Sequence, residues 1–360
     1  MVEDTLVAPE EAAGPEARPE SHLGVDEFDL IARLVETVAD ARGEQPSAGR
    51  VEVAVPSGDD AAVTVPSGAT ATSVDSLVDG VHFRRKTTPL RSVGRKALAV
   101  ALSDLAAMGA MPGEAYVQLG VPDDLDQAGC LELGEGLAQV AAEHDVAVLG
   151  GDVTRAPVLW VGITVVGHAD SAEQLVIRGG AHPGDVLAVT GELGGAAAGL
   201  LILERPELAG VVGEEIADRL RRRQLEPRPR MAAGHALAVT GASAMIDLSD
   251  GLGGDAEHLA AASGVRLAIE LERLPVQAGV REVAAAVGVD THDLAAGRGE
   301  DYELLVALPA AHAAQASAEV MATGSTLTRI GTVEEGDGVA LRAADGSSLE
   351  PVGFDQLRPL

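Results

Sequence analysis

The sequence predicts an α/β fold in two domains, and three observations carry that expectation. Short β-branched runs alternate with helix-period stretches over most of the chain, the pattern of layered strands and helices. The 360 residues suffice for two ordinary domains. The strand, glycine turn and helix of the first half return in style near "VIRGGAHPGDVLAVTG".

Taken in order, residues 1–24 are rich in Glu, Ala and Pro and are expected to form a disordered tail without chemistry. "FDLIARLVETVADA" then has helical apolar spacing. "RVEVAVPSGDD" reads as a strand ending in Asp59 and Asp60, "ATATSVD" as one ending in Asp75, and "DVAVLGGD" as one ending in Asp152. Between them, "ALAVALSDLAAMGAM" reads as a buried helix with one carboxylate, Asp104, in its middle. "VLWVGITVVGHA" is a long strand with no acid at its end. The domain boundary is expected near residues 168–172, giving segments 25–169 and 170–360. The second half continues with the strand "DVLAVT", a glycine turn and the helix "LGGAAAGLLILE". "RRRQLEPRPRMAAGHALAVTG" is a basic, proline-marked link into another helix. "SAMIDLSDG" is a strand ending in Asp247 and Asp250, followed by the helix "GGDAEHLAAASG" and a late strand in "EDYELLVALP". No short-period repeat of the solenoid kind is present.

Composition narrows the function classes. A net charge of −30 argues against a general nucleic-acid binder, which needs a basic footprint. Three Phe, two Tyr and one Trp leave too few stacking platforms for strings of bases. The one cysteine, Cys130, allows no internal disulfide and fits a reducing cytoplasm. The N-terminus lacks a basic start and an apolar h-region, so no signal peptide is expected. No apolar run reaches the ~18 residues of a membrane span. The expectation is a soluble cytoplasmic protein that engages neither nucleic acid nor membrane.

An unpaired charge on an apolar helix is costly, so Asp104 is the residue that asks for an explanation. Ligands collect outside the carboxyl ends of strands in α/β sheets. If the acid-tipped strands converge on Asp104, several carboxylates face one another and repel unless cations intervene. Oxygen donors of this kind suit Mg²⁺ or Ca²⁺; zinc would want a Cys or His cluster. The plainer readings are turn or cap roles for the strand-end acids, and a salt bridge from Asp104 to Arg95 or Lys96. Several magnesium ions point to a nucleoside triphosphate. No Walker A loop is present, so a nucleotide would be held by metals, backbone amides and arginine. Arg178 is a candidate phosphate partner or an ordinary surface arginine. The turn "TGELGGAAAG" either cradles phosphate at a helix start or merely permits close packing.

As a set and in this order, "GDDAAV", "SVDSLVDGVHF", "KALAVALSDLAAMGA", "LGGDVTR", "RGGAHPGDVLAVTG", "IDLSDGL" and "GEDYELL" resemble the thiamine-monophosphate kinases, from about Phe28 onward. The resemblance implies the two-domain aminoimidazole ribonucleotide synthetase-like fold, with an N-terminal ATP- and Mg-binding, dimerising domain. It also implies a homodimer in which two N-terminal sheets build a shared barrel. The implied reaction is ATP-dependent phosphorylation of thiamine monophosphate to thiamine diphosphate, with release of ADP. By match to the family pattern, Asp60, Ser73, Val74, Asp75, Asp104, Asp152, Asp247 and Asp250 are the implied metal positions. Asp104, Asp152 and Asp250 form the implied catalytic set. Gly151, Asp152, Arg178 and Ser249 are implied at the nucleotide, and His82, Glu300 and Leu357 at the substrate. Two positions depart from the pattern. Val74 stands where threonine is usual, so only its backbone carbonyl could reach a metal. Leu357 stands where the family can place an aromatic against the thiamine rings, with Phe354 three residues earlier.

Overall fold

The computed structural model describes residues 27–42, 51–56, 61–297 and 299–353. The expected tail, Asp59, Asp60, Phe354 and Leu357 lie outside the described residues.

The N-terminal half opens with helix α1 (Glu27–Arg42) and an antiparallel pair, β1 (Val51–Val55) and β2 (Val63–Pro66). It then builds a four-stranded sheet from β3 (Ala69–Val78), β4 (Met111–Val121), β5 (Ala147–Arg155) and β6 (Trp160–Ala169), ordered β3-β6-β4-β5. Helix α2 (Leu90–Ala107) links β3 to β4, and α3 (Gln127–Glu143) links β4 to β5. The two helices cross closely. A Cβ on Gly94 of α2 would sit 1.9 Å from the Leu133 carbonyl oxygen, so only glycine permits that approach.

The C-terminal half is a seven-stranded sheet ordered β13-β12-β9-β11-β7-β10-β8. Along the chain run β7 (Val186–Thr190), α4 (Gly195–Glu204), α5 (Ala209–Val212), α6 (Glu214–Leu225), α7 (Met231–Val239) and β8 (Ala244–Asp247). Then come α8 (Leu252–Ser263), β9 (Arg266–Glu270), α9 (Val280–Val287), α10 (Thr291–Ala296) and β10 (Leu304–Leu308). Helix α11 (Ala313–Ala322), β11 (Leu327–Glu334), β12 (Gly338–Arg342) and β13 (Ser348–Leu349) complete it.

Every residue of β7 and β10, inside the sheet, and of β8, at its edge, is buried, so all three strands are covered on both faces. Alternation divides them between two cores. Leu187, Val189, Ile246 and Leu305 face one cluster under α8, whereas Ala188, Met245, Leu304 and Val306 join a cluster continuous with α2 and the first sheet. Helix α2 therefore packs on β3 and β6 on one side and on α7 and β8 on the other. It is the seam of the molecule.

Two expectations need correction. Among the described residues most ladders are antiparallel, and only β4–β5 and β9–β12 run parallel. The carboxyl-end rule therefore does not gather these acids by itself. Asp75 and Asp152 also do not end their strands. β3 runs on through Ser76, Leu77 and Val78 against β6, and β5 through Val153, Thr154 and Arg155 against β4. The ladders of their long partners carry both strands past the acids.

Candidate active site

The site is built on α2. Ser103 and Asp104, adjacent near its C-terminal end, reach in two directions. Ser103 Oγ donates to Asp247 Oδ2 at the end of β8 (2.7 Å). Asp104 Oδ2 accepts from Ser73 Oγ on β3. One helical turn thus joins the two sheets through polar side chains. Lys96 lies seven residues before Ser103, on the same face by helical spacing. Its Nζ, on a side chain only 2 % exposed, donates to Glu300 Oε2 (2.8 Å). The same oxygen accepts from Gln224 Nε2 (2.7 Å). The salt bridge entertained for Asp104 is therefore taken elsewhere: Lys96 pairs with Glu300, and Arg95 with Glu143 and Glu226.

Electrostatics marks the same place. Burial pushes the Asp75 carboxyl up to about 6, with the Asp104 and Glu300 charges adding, while the Ser76 N–H (2.6 Å) and Lys96 oppose the rise. Asp247 is raised to about 7 by burial first and the Asp104 charge second, against the Ser103 bond and the cation Arg178. Asp104 is the neighbour both share.

The loop after β8, carrying Ser249 and Asp250, is held by a residue that no motif in the sequence marks. Asp255, in the first turn of α8, accepts from the backbone N–H groups of Asp250 and Gly251, both at 3.0 Å. Burial first, then Asp247 and Asp250, pushes its carboxyl up to about 8. The spacing of "SDGLGGD" could have signalled it as a loop brace. Arg178 precedes a turn fixed to α8, where Ser263 Oγ donates to the Arg178 carbonyl and accepts from the Gly180 and Ala181 N–H groups.

The "EDYE" stretch completes the rim. Across the β8 and β10 ends, Leu248 N–H donates to the Glu303 carbonyl and Tyr302 N–H to the Leu248 carbonyl, both at 2.8 Å, and Tyr302 adopts a left-handed φ of 48°. Its OH donates to Glu300 Oε1 (3.4 Å). Asp301 decides between the two readings of the glycine turn before α4, cradle or packing. Its carboxylate accepts from the N–H groups of Gly194 (2.7 Å) and Ala196 (3.0 Å). The start of α4, read as a possible phosphate cradle, is filled by the chain's own acid.

Ser73, Asp75, Asp104 and Asp247 are thus brought together, with Arg178 near Asp247 and Glu300 near Asp75. His82 lies in the turn after β3, its Nδ1 accepting from Val78 N–H (3.0 Å). Gly151 and Asp152 lie elsewhere. β5 is the edge opposite β3, three strand spacings or about 14 Å away. Cross-strand register makes Asp75, Ile163, Val117 and Gly151 one row, and Ser76, Gly162, Gln118 and Asp152 the next. Neighbouring rows face opposite sides, so Asp152 shares the outer face with Val74, which is 73 % exposed. A Cβ on Gly151 would sit 2.2 Å from the Val117 carbonyl oxygen, which explains that glycine as packing within the sheet.

The donor set suits a hard divalent cation. Its members are carboxylates and a serine hydroxyl, and burial first, then the charge of Asp104, raises two of the acids. Among the described residues, no three acidic, His or Cys side chains lie close enough to cage an ion unaided. A closed cage is not required for Mg²⁺, which commonly takes one or two carboxylates and completes its shell with water and substrate phosphates.

The fold and this acid-lined seam define a class. Residues 58–169 match the AIR synthase related protein N-terminal domain, and residues 182–344 the C-terminal domain of the same group. A thiamine-monophosphate kinase of Mycobacterium tuberculosis is 38 % identical over 281 residues, covering 78 % of this chain and 79 % of the relative. The crystal structure of thiamine-monophosphate kinase from Stenotrophomonas maltophilia superposes with a TM-score of 0.76 at 33 % identity, over 90 % of this chain and 98 % of that one. AaThiL complexed with AMPPCP and TMP superposes with a TM-score of 0.70 at 31 % identity, over 91 % and 96 %. The chain belongs to the thiamine-monophosphate kinase family.

Proposed function

We propose that this protein phosphorylates thiamine monophosphate with ATP, giving thiamine diphosphate and ADP. The observation that carries the reading is the set Asp75, Asp104 and Asp247, drawn together by α2 between two sheets, in a chain whose relatives bear that name and whose structural neighbour holds AMPPCP and TMP.

The acceptor is a phosphate oxygen, already ionised near neutral pH, so the chain need not supply a general base. What remains is to position two polyanions and to neutralise their charge. Asp60, Ser73, Asp75, Asp104, Asp152, Asp247 and Asp250 would hold Mg²⁺, with the Val74 backbone carbonyl beside them. When bound, Mg²⁺ supplies charge screening between the two phosphate groups. Asp104, Asp152 and Asp250 stand as the catalytic set. Ser73 and Ser103 each donate to an acid of the site and so fix the carboxylate oxygens' directions. Arg178, Ser249, Gly151 and Asp152 are assigned to the nucleotide; the Asp255 brace fixes the backbone beside Ser249. His82, Glu300 and Leu357 are assigned to the thiamine monophosphate. With Nδ1 accepting from Val78, neutral His82 carries its proton on Nε2 and can donate there. Lys96 and Gln224 hold Glu300 in one orientation.

Asp152 faces away from Asp104 within one chain, and this favours a homodimer. The long edge strand β3 and the exposed Val63, Val65 and Val74 of this half suit pairing with a second copy into a barrel. In that arrangement residues 25–169 form the nucleotide and dimerisation domain, residues 170–360 the C-terminal domain, and each site takes Asp104 from one chain and Asp152 from the other. Cytoplasmic residence accords with the single buried, free Cys130.

Purified protein incubated with ATP, Mg²⁺ and thiamine monophosphate should form thiamine diphosphate, and EDTA should abolish the reaction until Mg²⁺ is restored. Metal-independent turnover would sink the metal assignment, and no product with intact ATP binding would sink the kinase reading. Mixing inactive Asp104→Asn with inactive Asp152→Asn should regain activity if sites are shared between chains. No recovery after subunit exchange would place both residues in one chain's site.

A further inference from the structure

We propose a second anion site, independent of metal, in the arginine-lined cleft between α6 and the turn before β11, selective for a small phosphate-bearing molecule. The cleft has a volume of about 600 Å³ and is lined by Arg95, Arg219, Arg222, Arg223, Arg228 and Arg230. This convergence is anomalous in a chain of net charge −30, whose mean field repels anions.

Four of these six cations have internal acidic partners, Arg95 with Glu143 and Glu226, Arg219 with Glu215, and Arg223 and Arg230 with Glu303, and two do not. One fully buried carboxylate, Glu303, serves two of them: Arg230 Nε donates to its Oε2 (2.6 Å) and Arg223 Nη2 to its Oε1. Thr190 Oγ1 also donates to Oε2 (2.7 Å), which fixes Glu303 and, through it, both guanidinium planes. Among the described residues, the side chains of Arg222 and Arg228 have neither an ion-pair nor a hydrogen-bond partner. They stand at the cleft as exposed positive charges.

A second, independent observation points to the same place. Three buried polar atoms without a hydrogen-bond partner line this cleft: Arg95 Nε, which lies 3.7 Å from Glu226 Oε2, Ser325 Oγ and Gln277 Oε1. Buried polar atoms are nearly always satisfied, so three orphans in one cleft mark contacts that a ligand would complete. Two are donors, as anion oxygens require, and the Gln277 amide can present either oxygen or nitrogen. Guanidinium forks match phosphate oxygens in pairs, which favours phosphate over other anions. The volume fits a small molecule. The cleft opens beside β7 and β11, whereas Asp247 ends β8, two strands beyond β7 or about 10 Å along the rim.

The test is titration calorimetry of the full chain in EDTA with inorganic pyrophosphate, conditions in which the acid-lined site repels the probe. One saturable site is expected, weakened by salt. The double variant Arg222→Ala/Arg228→Ala should bind about tenfold or more weakly, with an unchanged melting temperature because both side chains are exposed. Asp104→Asn should bind as the parent does. Glucose 6-phosphate run in parallel separates a monoester ligand from a diphosphate, according to which binds more tightly. No metal-free binding, equal binding by the double variant, or tighter binding of citrate than of either phosphate compound would each overturn the proposal. Protection of Arg222 and Arg228 from phenylglyoxal by pyrophosphate, read by mass spectrometry, gives the same answer without any variant; unprotected arginines would overturn it equally.

Discussion

Asp104→Asn separates a metal-site carboxylate from a structural one. In the metal-free protein Asp104 is a destabilising neighbour: its charge helps to raise both Asp75, to about 6, and Asp247, to about 7. Burial is the larger cause in each, so Asp104's share is on the order of 1 kcal/mol per neighbour at ~1.4 kcal/mol per pKa unit. Asp104 and Asp75 are half-exposed, and solvent screening cuts that figure further. Asparagine keeps an oxygen to accept from Ser73. The metal-free variant should therefore melt within about 2 °C of the parent, unchanged or slightly higher. Turnover should behave otherwise. Loss of one carboxylate from a charge-stabilising site costs about 100-fold or more. The assay pairs thermal melts in EDTA and in Mg²⁺ with thiamine diphosphate formation. Stabilisation by Mg²⁺ should shrink in the variant together with turnover. Activity within threefold of the parent would remove Asp104 from the site, and a large fall in EDTA melting temperature would make its role structural.

Three further outcomes follow from particular contacts. Glu303→Ala leaves two guanidinium groups in a half-buried setting without their shared carboxylate, and should cost about 3–5 kcal/mol in urea unfolding; a loss below 1 kcal/mol would refute the lock drawn around Glu303. Asp255→Ala removes the acceptor of two loop N–H groups and should weaken ATP binding and lower stability by about 2 kcal/mol, whereas Asp255→Asn, which keeps an acceptor oxygen, should lose less on both measures; equal losses would assign Asp255 a charge role rather than a bracing one. Burial pushes the Cys130 thiol up to about 11, so folding favours the neutral thiol, and the stability it contributes is present below its unfolded value and lost as pH rises through about 11. The native protein should accordingly ignore a thiol reagent at pH 8 and release one equivalent only after unfolding; rapid reaction of the native protein would show the residue to be accessible.

What the sequence could disclose depended on whether the chemistry was local. Asp104 was legible because a carboxylate on an apolar helix is itself an anomaly, and Asp247 because it ends a short apolar strand. Asp75 and Asp152 looked alike in the sequence, each an acid after an apolar run, yet they face opposite sides of one sheet. That difference is set by register against β4 and β6 and by irregularities at Pro112/Glu114 and Ala115/Tyr116, which flip every later side chain in the count. No pattern along β5 alone contains that information. The partner of Lys96 was hidden for the same reason. The lysine's sequence neighbourhood offered Asp104 as partner, while the fold delivers Glu300, 204 positions away. The turn at Gly194 had the composition of an anion cradle, and only the fold shows that Asp301, 107 positions on, already occupies it. The last two surprises lie along one line, the contact of α2 and of the approach to β10 with the rest of the chain. A helix packed against two sheets satisfies its polar side chains on both sides, so its partners are decided by docking of the halves. If that is why Lys96, Ser103 and Asp104 have the partners they do, then Lys96→Met should both loosen Glu300 and lower the cooperativity of unfolding, seen as a fall in the urea m-value. A variant that raised KM for thiamine monophosphate but left the m-value intact would confine Lys96 to positioning Glu300 and return the joining of the halves to apolar packing alone.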